Sequence, residues 1–213
     1  MQHYISPNFT HEKLESPNYD DLVDVFEDRM RNWLLFPASV LLDSQHCQIA
    51  AASLMISYFE GIEIYLVGED SKNQSGNFFV NAFNKVFDVS TEDERLMEKI
   101  AYAIYSQARC GFAHDAMFRN RVFFSEIPKK PILVTWPKKN GEFDTNGELE
   151  SIIINPRLLF KSIEIHFNRY IDQLREGSNQ ELSLAFQKAV ELKWGLDEPD
   201  RVIGLTEDEF HKT

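Results

Sequence analysis

Residues 90–115 read STEDERLMEKIAYAIYSQARCGFAHD, and the reading of that stretch decides the fold. Ser90 and Thr91 carry hydroxyls that can accept from free backbone amides, and Glu92, Asp93 and Glu94 place negative charge where a helix dipole is positive. Leu96, Ile100, Ala103, Ile104 and Gln107 then follow at helical spacing, which predicts an amphipathic helix ending near Gly111. A helix with one apolar face buries it only against other elements, so the surrounding chain must supply partners.

Working outward, it supplies mostly helices. Asp20 and Asp21 suit the start of a helix after the Pro17-Asn18 turn, with Leu22, Val23, Phe26, Met30, Trp33 and Leu34 on its apolar face and Pro37 ending or bending it. Ile49, Ala52, Met55, Ile56, Phe59, Ile62 and Leu66 predict a long core helix over about 40–67. A polar break at Gly68 to Asn77 separates it from a shorter amphipathic piece, Phe78 to Phe87. Between Arg121 and Asn155 the pattern changes to short β-favouring runs, and a small hairpin or three-stranded flap is expected at about 121–155. Asn155-Pro156 opens another helix through Leu174, Gly177 and Ser178 allow a turn, and a last helix runs from Leu182 to Trp194. The expected fold is mainly α, an antiparallel helical bundle forming one domain over 1–213, with frayed ends at about 1–16 and 197–213.

Composition narrows the function classes. Seventeen Phe, seven Tyr and three Trp in 213 residues exclude a disordered chain. Cys47 and Cys110 lack a CxxC and point to buried thiols in a reducing, cytoplasmic setting, a single disulfide between them remaining the alternative. No secretory leader is recognisable, and the longest nearly continuous apolar run, Ile49 to Tyr58, is about half of the roughly 20 residues a bilayer crossing requires, so no membrane partner is expected. No phosphate-binding glycine loop, no GxSxG and no constraining metal-ligand spacing occurs, so neither cofactor nor metal is expected; His46, Cys47, Glu164 and His166 combine into a metal site only through unknown tertiary contacts.

The net charge of −12 repels phosphate backbones on average, but the charge is unevenly spread. Between Arg109 and Lys139 seven basic residues face two acidic ones, a local +5 against −17 for the remainder. Within that segment Arg109 and His114 bracket four residues. An arginine is a permanent planar cation with five donors suited to phosphate oxygens, and a histidine exchanges protons near neutral pH, so the pair holds the parts of a phosphodiester-cleaving site.

An Arg-x4-His motif closing a long amphipathic helix in a mostly helical chain resembles the HEPN superfamily of nucleases and nucleotide-associated domains. The resemblance rests on Arg109, His114, the RCGFAHDA environment and the helix order from about Pro37 to His114. It implies a HEPN-type bundle in which Arg109 binds the scissile phosphate and His114 acts as general acid or base while the RNA 2′-hydroxyl attacks. It further implies no metal, 2′,3′-cyclic phosphate ends, a homodimer with two such pairs in one cleft, and a setting such as toxin–antitoxin pairing, with an antitoxin as protein partner, or antiphage defence. Cys110 departs from the pattern, since many members carry a polar residue directly after the arginine.

On an ideal helix five residues turn the chain by about 500°, which sets Arg109 and His114 about 140° apart unless the last turn opens at Gly111 or a dimer combines both copies. Asp115 is a candidate to orient the imidazole or a plain surface acid. Glu60 interrupts the apolar face of the long helix and is a candidate to approach Arg109 or His114 from across the core, because a buried acid needs a partner. Tyr105, one turn before Arg109, either contacts RNA or packs in the core. Arg119, Arg121, Lys129 and Lys130 are candidates to guide an RNA backbone or are solvated surface charge. The competing reading from another class is a noncatalytic helical module that binds a protein partner or nucleotide and uses Arg109 and His114 structurally.

Overall fold

Asn18 opens the first helix through a capping box: its side chain accepts from the Asp21 amide at 2.9 Å, and the Asp21 carboxylate accepts from the Asn18 amide at 3.0 Å. The structure, a computed structural model, describes residues 4–89, 94–115, 117–119, 121–195, 207–210 and 212. The helix begun at Asn18, α1 (Tyr19–Arg29), widens into a π turn over Met30–Leu35 and continues as α2 (Phe36–Asp43). Pro37 therefore does not end the helix. Proline lacks the amide that a regular helix donates and crowds the preceding turn, and it stands here at the start of a fresh α segment behind the widened turn.

The expected helix over 40–67 is divided. The chain leaves helical geometry at Ser44–Cys47, where His46 takes φ 65°, and α3 spans Gln48–Val67. This helix is the centre of the fold. Ala51, Ala52, Met55, Ile56, Tyr58, Phe59 and Ile62 are buried, and α2, α4 (Ser75–Val86), α7 (Pro156–Glu176) and α8 (Gln180–Trp194) pack around it. Among the described residues it is the one helix long and apolar enough to cross a membrane, and half of that apolar window lies inside the protein. Two aromatic groups tie the layers together. Phe26 of α1 meets Tyr65, Phe167, Tyr170 and Phe186 with ring centroids 4.4–6.1 Å apart, and Phe59 meets Phe79, Phe83 and Phe87 of α4 and its C-cap at 5.1–6.2 Å. Each such ring removed from water contributes about 2–3 kcal/mol, so these groups fix how the helices register.

The helix that follows, α5, is described from Glu94 to Ile104, and the expected cap at Ser90–Asp93 lies outside the described residues. It does not stop near Gly111. A π turn over Tyr105–Arg109 carries it into α6 (Cys110–Asp115).

The β-containing segment is a mixed sheet rather than a simple hairpin. β3 (Val122–Phe124) runs parallel to β7 (Ser151–Ile154), and β4 (Ile132–Thr135) runs antiparallel to the other edge of β7; a separate two-residue hairpin joins β5 (Lys138–Lys139) to β6 (Glu142–Phe143). Ile152 and Ile154 of the central strand, with Trp136 and Leu149, belong to the main core, so the sheet is docked rather than a loose flap. Asn155 then locks the exit from the sheet: its Oδ1 caps α7 by accepting from the Leu158 amide at 3.2 Å, and its Nδ2 donates to the carbonyls of Glu126 and Pro128.

Residues near the N-terminus are tied down as well, against the expectation of a frayed end. β1 (Tyr4–Ser6) pairs with β2 (Phe9–Thr10), Asn8 donates twice to Asp28 of α1, and Arg29 Nε donates to the Ile5 carbonyl at 2.8 Å. Most of the expected frayed tail at 197–213 lies outside the described residues, which hold one short helix, α9 (Glu207–Phe210).

Candidate active site

The approach to Arg109 begins on the buried face of α5, where Ile100, Ala101 and Ile104 pack into the core beside α4. The π turn inserts an extra residue into the helical count and changes the phase of everything after it. Arg109 comes to face α3, and its Nη2 donates to Glu60 Oε2 at 2.8 Å. Glu60 Oε1 accepts from Ser71 Oγ at 3.0 Å, so one carboxylate joins the core helix, the loop after it and the bulged helix. The Arg109 side chain is 33% exposed and Glu60 17%, which places the pair between a solvated surface bridge and a buried one. The expectation that Glu60 reaches the site from across the core is met at Arg109. Of the five guanidinium donors, one is engaged in this way among the described residues.

Tyr105 takes the packing role. Its ring lies 5.5 Å from Phe79 and 6.1 Å from Tyr102, and the Arg109 guanidinium stands 5.8 Å from its centroid. The hydroxyl sits against Ser75 and Cys110. Ser75 draws its pKa down, but partial burial and the neighbouring Cys110 thiol outweigh it and hold Tyr105 above the ordinary tyrosine value, so it is a neutral donor at physiological pH. Ser71, Ser75 and Cys110 were not singled out from the sequence. The two serines lie in a polar break whose composition signals only a turn, and their contacts arise from tertiary folding.

His114 is exposed in the last turn of α6 and makes no hydrogen bond or ion pair among the described residues. Asp115 does not orient it. The Asp115 carboxylate accepts from Arg119 Nε at 3.1 Å, four residues on, so both side chains are committed to each other on the surface. Arg121 is also engaged, donating to the Leu149 carbonyl at 2.6 Å and to Glu148 at 3.3 Å. Lys129 and Lys130 are exposed with no carboxylate partner among the described residues. Both cysteines are free thiols and half-buried, which removes the alternative of a bond between them.

Gly111 explains how the chain leaves the site. The backbone folds back over it so closely that a Cβ there would sit 3.0 Å from the Met117 carbonyl and 3.4 Å from the Arg119 amide, and Arg119 N donates to the Gln107 carbonyl inside the π turn at 3.1 Å. The largest groove, about 1070 Å³, lies elsewhere, between α4, α5 and the loop at Thr145–Asn146. A second, about 530 Å³, runs between the start of α3 and β3. Neither is lined by Arg109 or His114, so the pair stands on open surface with one member facing the core helix and the other facing solvent. Among the described residues no cluster of His, Cys, Asp or Glu is arranged to hold a metal ion. Comparison of the chain with protein-family models, with curated proteins and with solved structures finds no match.

Proposed function

We propose that the chain is a metal-independent RNA endonuclease of the HEPN type that works as a homodimer through Arg109 and His114. The observation that carries this reading is the state of Arg109: a half-exposed guanidinium held in place by a single bond to Glu60, with donors left over for a phosphate. A cation tethered in this way is positioned without being neutralised at every donor, which is what transition-state charge requires. His114 supplies the proton transfer. It takes the proton of the 2′-hydroxyl as that oxygen attacks phosphorus, or delivers one to the departing 5′-oxygen, leaving a 2′,3′-cyclic phosphate and a 5′-hydroxyl. Because the helix after the π turn is regular, Arg109 and His114 of one copy diverge, and two copies across a symmetry axis supply both functions to one phosphate.

A second reading has its own support. The largest groove lies away from the pair and Arg109 is already bound to Glu60, which fits a noncatalytic module that binds a protein or nucleotide through that groove. The deciding experiment is cleavage of labelled structured RNA in excess EDTA by the wild-type chain, Arg109→Ala and His114→Ala, with size-exclusion chromatography of each. The expected result is a dimer whose cleavage falls about 10²- to 10⁴-fold in each variant, with cyclic phosphate ends. Intact RNA at high wild-type concentration overturns the nuclease reading and favours the second.

A further inference from the structure

The outer face of the sheet is apolar where water would be expected to meet polar side chains. Ile152 and Ile154 of β7 point into the core, so the intervening Ile153 and its paired neighbours Phe123 and Leu133 form a row on the opposite face. Phe123 is 53% exposed and Leu133 42%. Lys129 and Lys130 stand directly before β4, and Lys138 and Lys139 make up β5 directly after it; all four are exposed and have no carboxylate partner among the described residues. An apolar row one strand long, about 13 Å for four residues, thus has a pair of uncompensated cations at each end. In a chain whose remainder carries −17, that arrangement selects an anion with several charges and flat apolar groups between them.

We propose that this face docks single-stranded RNA, with Phe123 stacking a base and the two lysine pairs holding phosphates on either side of the sheet. The inference rests on the nuclease reading for its biological sense, while its physical basis is the charge and exposure of the sheet itself. Every base has a π face, so stacking on Phe123 needs no particular sequence. The 530 Å³ groove along the free edge of β3, bordered by Phe123 and Ile49, gives room for a neighbouring base. The backbone leads from this strand to Arg109 through residues 117–119, which lie against Gly111, so a strand bound here is delivered to the candidate site.

The test is fluorescence anisotropy with a labelled 2′-O-methyl uridine 12-mer, which lacks the attacking hydroxyl and cannot be cleaved, from 50 to 200 mM salt. Binding of the wild-type chain is expected to fall with salt, and Lys129→Gln with Lys130→Gln is expected to reduce the log–log slope by about 1.4, roughly 0.7 per phosphate contact. Phe123→Ser, an exposed change that leaves the core intact, is expected to weaken binding about 5- to 100-fold. Lys161→Gln with Lys188→Gln removes the same charge outside the segment and is expected to leave affinity within about twofold. A wild-type chain that does not bind at 50 mM salt, variants that bind as it does, or preference for anionic lipid vesicles over the oligonucleotide would each overturn the proposal. Binding that depends on the sheet, with natural RNA left uncut, retains this surface and removes the nuclease; cleavage unaffected by the sheet variants does the reverse.

Discussion

His166 of α7 offers a quantitative test of the core. Its Nδ1 shares a 2.8 Å hydrogen bond with the hydroxyl of buried Tyr58 in α3, and burial, aided by the nearby Arg169 and Lys85 charges, holds its pKa down at about 4 against an ordinary 6.5. The folded chain therefore keeps His166 neutral through a range in which the unfolded chain takes up a proton. Between pH 6.5 and 4 the unfolded state binds more protons at this residue, so stability falls as pH falls, and it levels off once both states are protonated below pH 4. A depression of about 2.5 units corresponds to about 3 kcal/mol. At pH 7 His166→Gln gives up a fitted hydrogen bond and costs about 1–2 kcal/mol. The curves are then expected to cross, with the variant more stable than wild type by about 1–2 kcal/mol at pH 4. Urea unfolding followed by circular dichroism at pH 7.5, 6, 5 and 4 reads both proteins, and the comparison cancels the titration of other groups. Stability curves that stay parallel across this window would refute the reasoning.

Three other substitutions probe separate parts of the structure. Glu63 is buried with 2% of its side chain exposed and both oxygens on Lys85 Nζ at 2.7 and 2.8 Å; Lys85→Met strands that carboxylate and is expected to cost about 2–4 kcal/mol in urea unfolding, much of it recovered when Glu63→Met is added. Asn155→Ala removes the α7 cap and the donors to two loop carbonyls, and a loss of about 2–3 kcal/mol is expected by thermal unfolding. Gly111→Val drives a side chain into the main chain of residues 117–119, with an expected cost of about 1–3 kcal/mol and faster hydrogen exchange at the Arg119 amide, whose bond to Gln107 is displaced.

Local signals in the sequence carried far. Asn18 with Asp21, and Asn155 with Pro156, mark helix starts by side-chain chemistry that acts within one turn, and both stand in the structure where that chemistry places them. Glu60 was legible as a contact seeker because a charge on an otherwise apolar helix face demands a partner, and Arg109 is that partner. The break at Ser44–Cys47 was hidden, since Asp43-Ser44-Gln45-His46 contains neither glycine nor proline and His46 adopts its positive φ without an obvious cue. The parallel pairing of β3 with β7 was hidden for a different reason: the strands are separated by most of the insertion, and no local pattern states which distant run will lie beside which. Asp115 shows the limit at the site itself. Adjacency to His114 suggested an orienting role, yet the helix brings Arg119 within reach four residues on and the ion pair forms there.

The π turn at Tyr105–Arg109 makes the geometry of this region depend on how many residues it contains as well as on which ones. Removing one residue, Ser106 for example, would let the segment close into regular α-helix, at no loss of main-chain hydrogen bonding within it. Everything beyond would rotate by about 100°, carrying Arg109 off Glu60 and Gly111 away from the chain that folds over it. The region should therefore accept many side-chain exchanges on its exposed face while rejecting changes of length, a pattern opposite to that of an ordinary surface loop.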